Sequence, residues 1–508
     1  MIISSRQKAQ KFVSFFGELR NDLRRTMNMD PITNTDYLTV ASDLAELLDG
    51  DAYVEIASAI SIQYAETGDF ERAVELAEQI PDVYARDSAL AAIAAKAVAS
   101  EHGDYALELL NTIEDPILYN SAIEEMAVEF ARLGKFDTAL ELTDQLSDNA
   151  SALAAIAAVY WQRGLKIEAI ELARSIEFAQ QRALTVVHLA RLSDDKAESL
   201  ELLAEAQSVA EQIDSSELQV FAFMAIASGY EERAEREPAL EALNRAVEVC
   251  GDIESAGLIG LSADFATDEA LLQIVEAFLR LDDLSTATEL AEEIEDRFVF
   301  ARANLSLAVA RGKGGEPSEA AKYLEEAKSM IVETEAYGLQ EANVRDGLMI
   351  DLAMAYANRG DYGEARRIIQ SVTSEETQLL ALNELGKLCA GAADDREVFD
   401  IAEGLGNAYD KTQYWLAVYD ATTSSQPELS ETALANAATI ATTVAQPVEK
   451  AEALTQIALR CAKNQKEQTE NAFLVAGNAA ALIDGNFLKA RAFLRLAKAS
   501  QILITDSA

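Results

Sequence analysis

Residues 64–80 read Tyr-Ala-Glu-Thr-Gly-Asp-Phe-Glu-Arg-Ala-Val-Glu-Leu-Ala-Glu-Gln-Ile, and their plan recurs along the chain. With Ala73 as the anchor, the same small residue returns at Ala106, Ala139, Ala169 and Ala287. Two positions on stand Glu75, Glu108, Glu141, Glu171 and Glu289; three positions on, Leu76, Leu109, Leu142, Leu172 and Leu290. Seven positions on come Ile80, Ile113, Leu146, Ile176 and Ile294. Apolar residues at i, i+3 and i+7 share one face of an amphipathic helix, and the glutamate at i+2 leaves that face for solvent. Five residues before the anchor lie Gly68, Gly134 and Gly164, with Gly360 before Ala365; Ala234 and Asp282 replace it before Ala239 and Ala287. Four residues earlier again is a ring: Tyr64, Phe130, Tyr160, Tyr230, Phe278 or Tyr356. Glycine accepts a left-handed backbone without a Cβ clash and so ends the upstream helix. Each unit is therefore an antiparallel helix pair.

The pairs form an array. Ser88–Ala94 and Ser151–Ala157 are the same heptapeptide, Ser-Ala-Leu-Ala-Ala-Ile-Ala. The anchors advance by 33, 33 and 30 residues from Ala73 to Ala169, and the steps from 239 through 287 and 320 to 365 are 48, 33 and 45. An aspartate just past the last core position (Asp82, Asp115, Asp148, Asp296) closes a unit. Pro238 and Pro317 fall near helix starts, where a missing N–H costs least. Beyond Thr373 the repeat loosens but helices are expected over 378–388, 414–421, 429–444, 449–463 and 470–483. The pattern Arg302-Ala303-x-Leu305-x-Leu307-Ala308 returns as Arg491-Ala492-x-Leu494-x-Leu496-Ala497, so the chain is expected to finish on the first helix of an unpaired unit. Three regions are expected: 1–49, a basic N-terminal helix and a capping helix; 50–372, the repeats; and 373–508, degenerate repeats ending in a basic capping helix.

This combination of small residue, aromatic, glycine turn and Ala–x3–Leu–x2–Ala second helix resembles the tetratricopeptide repeats. Residues 340–372 carry it well, with Leu352-Ala353, Tyr356, Gly360-Asp361-Tyr362 and Ala365. The resemblance spans roughly residues 50–372; most units lack the family's tryptophan, and Pro81 comes early. It implies an all-α fold, an α-solenoid of antiparallel helix pairs in a right-handed superhelix, whose first helices line a concave groove for proteins or extended peptides. Those helices are rich in alanine here, as in Ala152–Ala158. The family's basic clamp for C-terminal carboxylates, a Lys, Asn and Arg set on successive first helices, is not found.

Composition bounds the rest. The 508 residues exceed what one hydrophobic core serves, which suits an array. Acids number 87 against 42 bases, a net charge of −45, which disfavours nucleic acid as a partner. The bases divide into 26 arginines and 16 lysines; abundant carboxylates with few lysines are expected of a protein hydrated in concentrated salt, so a halophilic origin is expected, with an acidic surface for a basic partner as the competing reading. Cys250, Cys389 and Cys461 are isolated, so neither a zinc ribbon nor a disulfide framework is available, and each is read as a small core residue. His102 and His188 are read as packed structural residues. Arg311-Gly312-Lys313-Gly314-Gly315 lacks the strand and the Lys-Ser/Thr of a phosphate loop and is read as a turn. No catalytic, cofactor or metal residues are assigned. No signal peptide or membrane-spanning stretch is recognised, and a cytoplasmic location is expected.

The two ends depart from the acidic body. Residues 1–25 carry Arg6, Lys8, Lys11, Arg20, Arg24 and Arg25 against Glu18 and Asp22, a net of +4. Phe12, Val13, Phe15, Phe16, Leu19 and Leu23 line one side of the same segment. It is read as a cap on the first repeat, with partner protein, anionic membrane and nucleic acid as the other uses; Lys11, Arg20, Arg24 and Arg25 are the candidate partner-binding residues. The expected function is a non-catalytic scaffold, a monomer or weak oligomer, for a protein or peptide partner. The alternative is a peripheral membrane assembly factor held by residues 1–25.

Overall fold

The computed structural model describes residues 37–251, 253, 263–332, 339–462 and 466–505, and it is helical, with no strand among them. Each repeat pairs a first helix with a second. The first helices in the amino-terminal half are α2 (Gly50–Glu66), α4 (Val83–Ala99), α6 (Pro116–Arg132), α8 (Ala150–Gln162), α10 (Ala179–Leu192) and α12 (Ser216–Glu232). They continue as α14 (Ala263–Arg280), α16 (Arg297–Lys313), α18 (Leu339–Asn358), α20 (Glu375–Gly391), α22 (Ala408–Thr422), α24 (Pro447–Ala462) and α26 (Asn486–Thr505). Second helices alternate with them: α3 (Phe70–Glu78), α5 (Gly103–Leu110), α7 (Phe136–Thr143), α9 (Lys166–Ser175), α11 (Lys196–Ala210) and α13 (Arg236–Cys250). Then come α15 (Leu284–Ala291), α17 (Pro317–Val332), α19 (Tyr362–Ile369), α21 (Asp395–Gly404), α23 (Pro427–Ala441) and α25 (Lys466–Ala481). A short helix, α1 (Tyr37–Ala45), precedes all of these. The fold is all-α, an array of tetratricopeptide-like helix pairs.

The repeat grammar explains the local structure. All five anchor alanines are buried, while Glu75, Glu108, Glu141, Glu171 and Glu289 are exposed. At the turn within a pair, Gly68, Gly134, Gly164 and Gly360 have φ of +84°, +81°, +80° and +82°. The residue after each donates its N–H back to the carbonyl of the aromatic: Asp69 to Tyr64, Lys135 to Phe130, Leu165 to Tyr160 and Asp361 to Tyr356. That 6→1 bond satisfies a carbonyl left open at the helix end. The aspartates expected to close a unit open the next one. Asp82 Oδ1 accepts from Ala85 N at 2.8 Å, and Asp296 Oδ1 from Phe298 N and Val299 N at 2.8 and 3.0 Å, each capping a first helix.

Contacts divide the chain into two compact units. One spans Ile123–Gln378; the other joins the described residues up to Ala122 with Leu379 onward. In the first, a continuous hydrophobic core passes from Ala157 and Trp161 through Phe223 and Phe278 to Leu307. Within this unit the principal packing is between helices adjacent or next-but-one in order, as in α10 with α11 and α12.

The other unit corrects the expectation for the carboxy-terminal helix. Rather than standing unpaired, α26 packs against α1 and α2. Tyr37 stacks on Phe493 with ring centroids 6.2 Å apart, and its hydroxyl donates to the Phe473 carbonyl at 3.2 Å. Gly477 makes room for that ring: a Cβ there would lie 3.1 Å from Tyr37 Cε1. The Gln501 amide donates to the Glu66 carbonyl at 3.0 Å and Gln63 bonds to Gln501. Leu38, Ala41, Ala45, Ala490, Phe493 and Leu496 are all buried. The physical reason is in the sequence of α1, where Ala41-x-Asp43-Leu44-x3-Leu48 is the second-helix pattern itself. One repeat is thus assembled from both ends of the chain. The helices expected beyond 373 are present with bounds shifted by a few residues, and α21 joins them although its pattern gave no expectation.

Candidate functional site

Because repeats share a register, equivalent positions of successive first helices form rows. Fourteen residues before the anchor, four first helices carry alanine: Ala59, Ala92, Ala155 and Ala225. All four are half-buried, as close approach of first helices requires. On α14, α16 and α18 the same row reads Gln273, Ser306 and Asp351. Here the surface opens into a cavity of about 650 Å³. Leu279, Leu305, Val309 and Met354 supply its apolar wall, a mixture typical of binding clefts. The alanine-rich character of the first helices therefore gives way over these three repeats, where the row departs from alanine.

The charges in the cleft are unevenly satisfied. Arg302 donates both ways to the Glu269 carboxylate, at 2.8 and 2.9 Å, one repeat back. Arg280 pairs with Glu231 at 3.2 Å. Ser306 Oγ donates to Glu276 at 2.9 Å. Asp351 has no hydrogen bond or ion pair among the described residues. Asp351 is exposed at the cleft surface; partial desolvation there raises its carboxyl above the usual range, Arg302 draws it back and Glu276 adds to the rise. Lys313 is likewise unpaired, at the turn end of the cleft. It lies seven residues beyond Ser306 on α16, about 10 Å along the helix.

No family model and no curated protein matches the chain. Solved structures do, at low identity. Ton1535 from Thermococcus onnurineus NA1 is 13% identical over 70% of this chain and 96% of its own, with a TM-score of 0.24. The Cut9-Hcn1 hetero-tetramer of the APC/C is 14% identical over 91% and 100%, with a TM-score of 0.22. A human IFIT1 dimer with PPP-AAAA is 11% identical over 88% and 100%, with a TM-score of 0.30. The helical-repeat architecture and the chemistry of the cleft rest on this chain's own residues.

The other candidates separate clearly. Lys11, Arg20, Arg24 and Arg25 lie outside the described residues. At the other end, Arg491 pairs with Glu55 at 3.6 Å and Arg495 with Glu452 at 2.7 Å, so these bases hold α26 to its neighbours. Cys250, Cys389 and Cys461 are buried, and burial pushes the first and last thiols up to about 11 and about 12, away from reactive thiolate. His188 is exposed rather than packed, because its position on α10 falls off the buried Val186-Val187-Leu189-Ala190 face. His102 is also exposed but lies against Phe70 at 5.3 Å. The glycine-rich run divides: Arg311, Gly312 and Lys313 end α16, and Gly314 with Gly315, at φ +81°, makes the turn into α17. No described helix is long and apolar enough to cross a membrane.

Proposed function

We propose that this chain is a non-catalytic scaffold that takes a protein or peptide segment along the first-helix cleft of α14, α16 and α18. The observation behind this reading is a cleft built in one register by three consecutive repeats, with an apolar wall and a free carboxylate and ammonium near its two ends. A photoreactive residue tests it. Placed at Val309, inside the cleft, it should give discrete protein adducts in native lysate; placed at exposed Glu289, on the outer face of α15, it should not. Equal labelling from both positions, or none from Val309, would remove the reading.

The acid excess of 87 over 42 supports a protein that works in concentrated salt. Stability should rise steeply from low salt to molar KCl, and indifference to salt would count against it. A cytoplasmic site of action belongs to the same proposal. The net charge of +4 over residues 1–25 favours membrane-surface attachment as a second reading. Deleting 1–25 should then abolish sedimentation with anionic liposomes while leaving helicity intact; sedimentation unchanged by the deletion would end that alternative.

A further inference from the structure

We infer that the turn end of α16 and α18 holds a second site, for a small organic anion whose carboxylate or phosphate lies between Lys313 and Arg359. A cavity of about 590 Å³ opens there, within the size range of small-molecule sites. Val309, Pro317, Leu324 and Ala355 form its apolar part, and Lys313, Asn358 and Arg359 its polar part. No acid is among its described lining residues, in a chain with 87 acids to 42 bases. The register makes these two cations exceptions. Lys313 stands seven residues before its anchor, where other repeats place Arg132 and Arg280. Arg132 pairs with Glu129, and Arg280 with Glu231 at 3.2 Å. Arg359 stands six residues before its anchor, and its equivalents are Arg163 and Arg233. Arg163 donates to the Arg132 carbonyl, and Arg233 to the Ala190 and Ser193 carbonyls at 2.8 and 2.7 Å. The side chains of Lys313 and Arg359 have no hydrogen bond or ion pair among the described residues. Glu316, the acid nearest to Lys313 in sequence, is held by Arg311 at 2.8 Å. A base at a helix end complements the open carbonyls, which accounts for a cation at every one of these positions. It does not account for two that stay uncommitted over one apolar cavity. The guanidinium offers a planar fork that matches an oxyanion, the ammonium a point charge and Asn358 an amide donor. The chain's charge of −45 repels a polyanionic macromolecule at long range far more than a small anion, so the ligand is small.

Ligand-observed NMR titrations of the full chain test this with three probes on one ring system: 2-naphthoate, 2-naphthyl phosphate and the neutral 2-naphthamide. At least one anion should bind with a Kd of about 1 mM, roughly fivefold or more tighter than the amide, and the preferred one names the group. Lys313→Ala combined with Arg359→Ala should abolish the preference. Both side chains are exposed, so this variant should keep the parent's helicity and urea midpoint. Arg396→Ala combined with Lys498→Ala, also at exposed positions, removes the same charge elsewhere and should leave the preference intact. Equal binding of anions and amide, or no binding of either anion at about ten times that Kd, would overturn the inference. So would a preference that survives the first double variant, or one that the second removes just as far. None of these outcomes bears on the peptide reading, which labelling from Val309 decides separately.

Discussion

At the scale of single residues, a buried aspartate recurs as a clamp between one repeat and the next. Asp87 on α4 accepts the N–H groups of Glu114 and Asp115, both at 2.7 Å, from the turn 27 and 28 residues on. Asp268 on α14 does the same with Glu295 and Asp296, and Asp346 on α18 with Thr373 and Ser374. Each stands nineteen residues before its anchor alanine, so the register was visible in the sequence. Its meaning was not, because an aspartate on an acidic chain looks like one more solvated charge until its burial is seen. Burial alone would push the Asp87 carboxyl up; the Asp115 N–H, the Arg86 guanidinium and the Glu114 N–H outweigh it and hold it below the usual range. Asp87→Ala leaves two turn N–H groups unpaired and is expected to cost about 3 kcal/mol in denaturant unfolding. With a folded-state pKa below the unfolded one, Asp87 contributes stability that is complete above about pH 4 and lost as pH falls toward the folded value. The variant should therefore lose less on acidification than the parent.

At the scale of elements, the intra-pair turn is set by register more than by residue type. Ala234 and Asp282 stand where other repeats have glycine, yet they adopt φ of +58° and +57°, and Glu101 and Ala393 join them at +67° and +59°. Packing of the two helices on either side imposes the left-handed residue even where a side chain resists it. The sequence showed the glycines and the substitutions but not that the backbone would be kept. Because a non-glycine residue pays roughly 1–2 kcal/mol in that conformation, Ala234→Gly is expected to stabilise the protein by about 0.5–1 kcal/mol, net of the added freedom of the unfolded chain. Gly134→Ala should go the other way by about 1–2 kcal/mol. Its φ is +81°, and the new Cβ would meet Arg163 Nη1 at 3.0 Å, displacing a guanidinium that bonds to the Arg132 carbonyl. Shifts in the urea midpoint of the two variants, opposite in sign, are the check.

Across the whole molecule, helix pairing within repeats was legible because the second-helix pattern repeats without a gap in its chemistry. The cleft was not, since its key residues are departures from the repeat, and only the structure shows that Ser306 and Asp351 fall beside Val309 and Met354 in one space. In such an array stability is a sum of local terms. Leu142, buried on α7, is expected to lose about 2–5 kcal/mol on truncation to alanine. Faster hydrogen exchange should concentrate in residues 119–176, and Glu141→Gln on the exposed face should change little. Equal deprotection of helices far along the chain would mean one cooperative globule instead.

The repeat shared by the two chain ends was the least expected feature, although α1 carries the second-helix pattern from Ala41 to Leu48. Its short length and its place beside a basic segment made it read as a cap. The direct measurement is a pulsed electron-resonance distance between spin labels at exposed Asp43 on α1 and exposed Lys498 on α26, on helices packed against each other in the fold. Packed helices lie about 8–10 Å apart, so one narrow distribution at helix-pair range is predicted, persisting on dilution and unaffected by unlabelled protein. A broad, long distribution, or a short one that vanishes when labelled chains are diluted with unlabelled ones, would contradict the assembly of one repeat from both ends of a single chain.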